Sequence, residues 1–143
     1  MPFHFSSIMA SKAEHTRIIL DTNFLMIPSQ FKVDIFTEIK RLLTEPYELY
    51  LFDATIGELE KLASGTKKDS IHAKTALKLI KQKNLKRLSN SIEEKYADNL
   101  ILGSVTNKDI VCTQDQPLKR LLKHKHDGIR LIALKSKKYL GFE

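Results

Sequence analysis

Four acidic residues stand where this chain could do chemistry: Asp21, Glu58, Asp98 and Asp115. Asp21 ends the apolar run Arg17 to Leu20, and Asp115 follows Ile110-Val111-Cys112-Thr113-Gln114 in the same way. In a parallel sheet, acids that follow two strands end at one edge. Glu58 and Asp98 fall in early turns of expected helices entered from that edge, so carboxylates from distant segments are expected to converge. Convergence alone is unfavourable, because clustered carboxylates repel and raise one another's pKa values. A hard divalent cation resolves it. Oxygen donors suit Mg2+ or Mn2+, which keep part of their water and bind through a few carboxylates plus a substrate phosphate.

Each acid also has an ordinary role open to it. Asp21 can start a turn, Glu58 can complete a capping box with Thr55, and Asp115, two residues before Pro117, can cap a helix. Asp98 beside the apolar Ala97 and Ile101 is harder to dismiss, since buried carboxylates are rare unless paired or metal-bound. Spacing alone leaves the metal site and these local roles both open.

The elements that must position the acids follow from periodicity. Arg17 to Leu20 predicts a buried strand, halted by Asp21-Thr22-Asn23. Pro28 closes a loop, and Phe31, Ile35, Ile39 and Leu42 recur at helical spacing, predicting one long helix through Glu45 before Pro46. Leu49 to Phe52 predicts a second strand, and Thr55-x-x-Glu58 has the spacing of a capping box opening a helix over Ile56 to Ala63. A basic loop, Ser64 to Ser70, precedes a helix carrying Ile71, Leu77 and Ile80, then a short strand at 85–88. Ser91-x-x-Glu94 opens a helix whose apolar face holds Ile92, Ala97, Leu100, Ile101 and Val105. A strand at Ile110 to Cys112, a helix at Pro117 to Lys125 and a strand at Ile129 to Leu134 complete the series. Alternating strands and helices without tight hairpins imply crossovers and a parallel sheet covered on both faces. The expected fold is a three-layer α/β/α sandwich in one domain over 16–143, with 1–15 as a flexible tail.

Four segments resemble, in order and spacing, the acidic motifs of PIN-domain nucleases: Arg-Ile-Ile-Leu-Asp-Thr-Asn at 17–23, Ile-Gly-Glu-Leu-Glu at 56–60, Tyr-Ala-Asp-Asn-Leu-Ile-Leu at 96–102 and Cys-Thr-Gln-Asp at 112–115. The similarity covers about residues 17–141. Phe24-Leu25-Met26-Ile27-Pro28 and Lys137-Lys138-Tyr139-Leu140 look most like the archaeal branch related to ribosome-assembly endonucleases. The resemblance implies an endoribonuclease using one or two Mg2+ or Mn2+ ions. It makes Asp21, Glu58, Asp98 and Asp115 the catalytic, metal-binding acids, with Thr22, Asn23 and Thr113 as supporting groups. Many members carry another acid after the third motif acid, where this chain has Asn99; a carbonyl in place of a charge implies a weaker second metal site. Asp53, near the expected mouth, is an extra acid.

Composition is compatible with this. Lys and Arg total 24 against 17 Asp and Glu, a net charge of +7 with pI near 9.5, which favours a polyanionic partner such as RNA. Lys67 and Lys68, with Lys119, Arg120 and Lys123, are candidate RNA contacts, the alternative being a solubilising face. His124 and His126 beside Gly128 read as a helix end. Cys112 is the sole cysteine, which excludes an internal disulfide or a cysteine-rich zinc cage, and its apolar neighbours mark a buried hydrophobe. A single cysteine fits a reducing cytosol, the expected location, and no apolar stretch reaches the length of a membrane span. Similar proteins commonly dimerise, but no patch identifies an interface. Alternative readings are a toxin-type PIN ribonuclease held by an antitoxin and a catalytically weak RNA-binding module. A receiver-like domain phosphorylated on Asp53 is disfavoured, because Thr22, not a second acid, follows Asp21.

Overall fold

The computed structural model describes residues 15–90, 94 and 96–143. The expected tail, except His15, and the Ser91 and Ile92 positions of the fourth predicted helix lie outside the described residues. Among these residues six strands form one sheet: β1 (Thr16–Leu20), β2 (Tyr47–Phe52), β3 (Lys86–Leu88), β4 (Ile110–Cys112), β5 (Arg130–Lys135) and β6 (Tyr139–Phe142), in the order β3-β2-β1-β4-β5-β6. The pairs among β1 to β5 are parallel and β6 runs antiparallel to β5. Helices α1 (Thr22–Leu25), α2 (Ile27–Phe31), α3 (Ile35–Leu42), α4 (Asp53–Ala63) and α5 (Ser70–Gln82) precede β3, while α6 (Ala97–Ser104) and α7 (Gln116–Lys125) flank β4.

The three layers follow from alternation along the central strands. Ile18, Leu20, Ile110 and Cys112 join a core with Phe24, Ile35, Ile39, Leu59 and Ala76, whereas Ile19 and Val111 join a second core with Ala97, Ile101, Leu118 and Leu122. Continuous apolar runs are therefore what these strands need, since both sheet faces are covered. Each fully buried Ile, Leu, Val or Phe among them contributes roughly 1.5–3 kcal/mol. Among the described residues, no helix is long and apolar enough to cross a membrane.

The structure corrects several expectations. The single helix expected through Glu45 is two. Pro28 lies in the first turn of α2, which ends at Lys32 in the left-handed region with φ 59. Asp34 then opens α3, its Oδ1 accepting from the Phe36 and Thr37 amides at 3.1 Å each. A left-handed stop followed by an Asp cap overrides apolar periodicity that runs through both helices. The sheet is also not wholly parallel. Ser136 and Lys137, with φ 52 and 55, form a tight turn closed by the Lys138 amide on the Lys135 carbonyl at 3.0 Å, and this returns the chain as β6. Asn and Gly usually supply such conformations, so a Ser-Lys pair gives no hairpin signal. On α5 the buried residues are Ala73, Ala76 and Ile80, while Ile71 is 66% exposed.

The outer edge of β6 is satisfied by side chains of α3. The Leu140 amide donates to Glu38 Oε1 at 3.0 Å, and Arg41 Nη2 donates to the Leu140 carbonyl at 2.8 Å. Glu38 and Arg41 are themselves paired at 2.9 Å, so one ion pair occupies backbone groups that would otherwise invite another strand.

At the amino edge of the sheet, Glu45 receives both Arg130 terminal nitrogens at 2.8 Å and the Thr16 hydroxyl at 2.6 Å. The guanidinium, with help from the hydroxyl, holds the Glu45 carboxyl down at about 2 against an ordinary 4.5. A depressed carboxylate stabilises the fold fully above its unfolded pKa and loses that contribution as pH falls toward the folded value. Glu45→Gln is therefore expected to cost about 1 kcal/mol at neutral pH, solvent screening reducing the pair's worth because its side chains are partly exposed. Urea denaturation checks this: the gap from wild type narrows as pH falls below 4.5 toward 2.

Candidate active site

The strand order makes β1 and β4 the place where the chain reverses direction across the sheet: β2 and β3 extend one way and β5 and β6 the other. Connections leaving these two carboxyl ends diverge and leave a crevice. A cavity of about 680 Å³ opens there, lined by Asp21, Thr22, Asn23, Glu58, Asp98 and Asp115, and by Lys61, Leu62, Gly65, Thr66 and Lys67. The four candidate acids thus share one cavity.

Asp21 is fixed most tightly. It caps α1, its Oδ1 accepting from the Thr22 amide at 2.8 Å, and its Oδ2 accepts from Thr113 Oγ1 at 2.8 Å. Only 6% exposed, it has its pKa raised chiefly by burial and further by the Glu58 and Asp115 charges, against the lowering effect of its two hydrogen bonds. Thr113 is fully buried, and its hydroxyl oxygen also accepts from the Asp115 amide at 3.1 Å, so one side chain sets the positions of two acids. Asp115 caps α7 as its spacing before Pro117 suggested, with Oδ1 accepting from the Leu118 amide at 2.9 Å.

Glu58 is not the partner of Thr55 in a capping box. Helix α4 already begins at Asp53, which leaves Thr55 buried in its first turn with a hydroxyl that has no partner among the described residues. Glu58 Oε1 accepts from Thr22 Oγ1 at 2.5 Å and Oε2 from the Ala97 amide at 3.0 Å. It therefore bridges α1 to the first turn of α6, the turn that carries Asp98. Asp98 is exposed and accepts from the Asn99 amide at 2.9 Å.

Other candidate residues are placed differently. Asn99 is exposed and does not line the cavity. Nor do Lys68, Arg120 or Lys123, and Lys123 Nζ donates to the Glu143 carbonyl at 2.7 Å. Lys119 is unavailable to a phosphate backbone: its side chain is 7% exposed and pairs with Glu143 at 2.9 Å. Asp53 pairs with Arg87 at 2.7 Å and lies off the cavity, which also leaves the receiver-like reading without its acceptor. Burial pushes the Cys112 thiol well up, as suits a core hydrophobe. Lys61 was not singled out from sequence, although its place three residues after Glu58 puts both on one helical face.

The donor set suits a hard cation. All the acids offer oxygen, and a buried carboxylate with like-charged neighbours is eased by a positive ion between them. Among the described residues, no three His, Cys, Asp or Glu side chains form a ready-made cage. The residues fit the mode in which Mg2+ uses one or two carboxylates, several waters and a phosphate oxygen.

Fold and site together define an α/β domain with an acidic cavity at the switch point of its sheet. The chain belongs to the PIN-domain family: a family model described as a PIN like domain matches residues 18–137. Among its relatives, the rRNA-processing protein FCF1 of Saccharomyces cerevisiae is 33% identical over 126 residues, covering 87% of this chain and 62% of that protein. Ribonuclease VapC4 of Methanocaldococcus jannaschii is 32% identical over 126 residues, covering 86% and 93% respectively. The chain thus spans less than two thirds of the yeast relative and nearly all of the archaeal one. The solved PIN domain endonuclease Utp24 superposes with a TM-score of 0.74 at 28% identity, covering 89% of this chain and 90% of that one.

Proposed function

We propose that this chain is a cytoplasmic, divalent-cation-dependent endoribonuclease that hydrolyses RNA phosphodiester bonds in RNA or rRNA processing. The observation that carries this reading is that Asp21, Glu58, Asp98 and Asp115, from four separate segments, line one cavity, with Asp21 held buried and charged-neighboured at its base. The names of the yeast, archaeal and Utp24 proteins support the same chemistry. Asp21, Asp98 and Asp115, with Glu58, would hold Mg2+ or Mn2+. Bound there, the ion supplies a water of lowered pKa and offsets charge on the phosphate. The chain's own part is orientation: Thr22 and Thr113 fix Asp21, Thr113 and the start of α7 fix Asp115, and Glu58 fixes the helix bearing Asp98.

Incubating the purified chain with RNA in Mn2+, Mg2+ or EDTA tests the proposal. The expected result is internal cutting that requires the ion and falls about a hundredfold or more in Asp98→Asn, the size of effect seen when one charge-stabilising group is removed. Cutting that persists in EDTA, or at full rate in the variant, would count against it.

The 93% coverage of the archaeal ribonuclease favours a second reading, a free-standing toxin-type enzyme held by an antitoxin. Growth arrest on expression, relieved by a co-purifying small protein, distinguishes it. RNA binding without cutting in any ion would instead mark a catalytically weak module.

A further inference from the structure

The acids, with Thr22 and Asn23, account for only part of the cavity lining; the rest is the last turn of α4 and the loop after it, with Lys61, Leu62, Gly65, Thr66 and Lys67. This wall is built, not merely adjacent. The Ser64 amide donates to the Glu60 carbonyl at 3.0 Å, the Gly65 amide to Leu62 at 3.2 Å and the Ser70 amide to Lys67 at 3.0 Å. Ser70 Oγ donates to the Ala63 carbonyl at 3.0 Å, tying the far end of the loop back to α4.

Its two lysines are uncommitted. Arg17, Arg41, Lys86, Arg87, Lys119, Arg130 and Lys135 all have carboxylate partners. Among the described residues Lys61 and Lys67 have none, although Glu58 is one turn from Lys61. The reason is visible: both Glu58 oxygens are taken, by Thr22 and by the Ala97 amide. Two lysines thus line the acidic cavity with no ion-pair partner among the described residues. None of the lining residues is aromatic, so no platform for base stacking is present there, and a strand held at this wall is held by its backbone.

We propose that Lys61 and Lys67 form a phosphate-backbone site that seats the nucleotide next to the bond being cut. This rests on the ribonuclease reading and adds where the rest of the strand is gripped. The two lysines are binding residues that touch flanking phosphate, distinct from the acids. Their loss raises KM and leaves kcat nearly unchanged, because the interaction is the same in ground and transition states.

The test is binding of a labelled single-stranded oligoribonucleotide in EDTA, followed by fluorescence anisotropy across a salt series. It compares wild type, Lys61→Ala/Lys67→Ala, and Lys74→Ala/Lys78→Ala, which removes the same charge from exposed positions on α5 away from the cavity. The wall variant is expected to bind about tenfold or more weakly, with its log–log salt slope shallower by about 1.4, since each single-strand phosphate contact contributes about 0.7. The control variant should stay close to wild type. Equal losses in the two variants, an unchanged slope in the wall variant, or no measurable binding by wild type would each overturn the proposal. Cleavage in Mn2+ separates it from the reading beneath it. Wild type that binds through the wall but never cuts retains the site and loses the nuclease, and wild type that cuts while both variants bind alike retains the nuclease and loses the site.

Discussion

Asp21→Asn lowers metal-dependent RNA cleavage about a thousandfold, roughly 4 kcal/mol of transition-state stabilisation, yet leaves the folded chain at least as stable in metal-free buffer. Both halves follow from one side chain. Asp21 is the most buried of the cavity acids, and burial with the nearby Glu58 and Asp115 charges raises its pKa above the ordinary 3.8. An acid whose folded pKa is raised binds its proton more tightly in the native state. Native stability therefore declines as pH rises from 3.8 through the folded value, and the ionised form is a standing cost above it. Asparagine removes the charge and keeps an oxygen for the Thr22 amide. Its amide nitrogen meets a Thr113 hydroxyl that already accepts from Asp115, which limits the gain. The variant's advantage should be present at neutral pH and shrink toward pH 3.8, because wild type becomes neutral there too. Paired urea titrations and initial cleavage rates measure both effects. A variant that cuts normally removes Asp21 from the machinery, and one that unfolds several kcal/mol more easily makes the residue structural. Stability given up at a site that works on charge is common where function and fold compete.

What was legible in the sequence was whatever both sheet faces demand. Ile18-Ile19-Leu20 and Ile110-Val111-Cys112 are apolar without interruption because the strands are covered on both sides, so the polar residues that follow them stood out as ends. That is why Asp21 and Asp115 could be placed at one edge. The rest depends on contacts that spacing does not encode. Thr55-x-x-Glu58 looks the same whether the helix begins at Thr55 or, as here, at Asp53. Lys119 has the composition of a surface residue, and only the return of the chain at Glu143 makes it a buried ion pair. The break at Lys32 is a backbone conformation in a residue that rarely adopts it, and β6 hangs on a turn lacking its customary residues. Lys61 was discoverable from its helical offset to Glu58, but only once Glu58 was known to face inward.

Glu58 supplies the second large effect, and two substitutions separate its charge from its role as a strut. Alanine removes the acceptor for both Thr22 Oγ1 and the Ala97 amide, leaving those donors without their partner. Two lost hydrogen bonds of this kind cost about 2 kcal/mol, concentrated where α6 begins. The first turn of α6 then opens more readily, and Asp98, carried in that turn, loses its fixed position. Glutamine behaves differently. Its carbonyl oxygen can take the Ala97 amide, and its NH2 can donate to a Thr22 hydroxyl that rotates to accept, so the bridge survives without the negative charge. Glu58→Ala is accordingly expected to accelerate amide exchange across Ala97 to Ile101 by about tenfold or more and to reduce cleavage by at least about a hundredfold. Glu58→Gln should keep exchange near wild type, so that whatever activity it loses reports the carboxylate's charge alone. Hydrogen exchange resolved to α6, set beside cleavage rates, reads both quantities. If exchange in the alanine variant stays at the wild-type rate, α6 is held by its buried Ala97, Leu100 and Ile101 instead, and Glu58 acts only through its charge on the cavity.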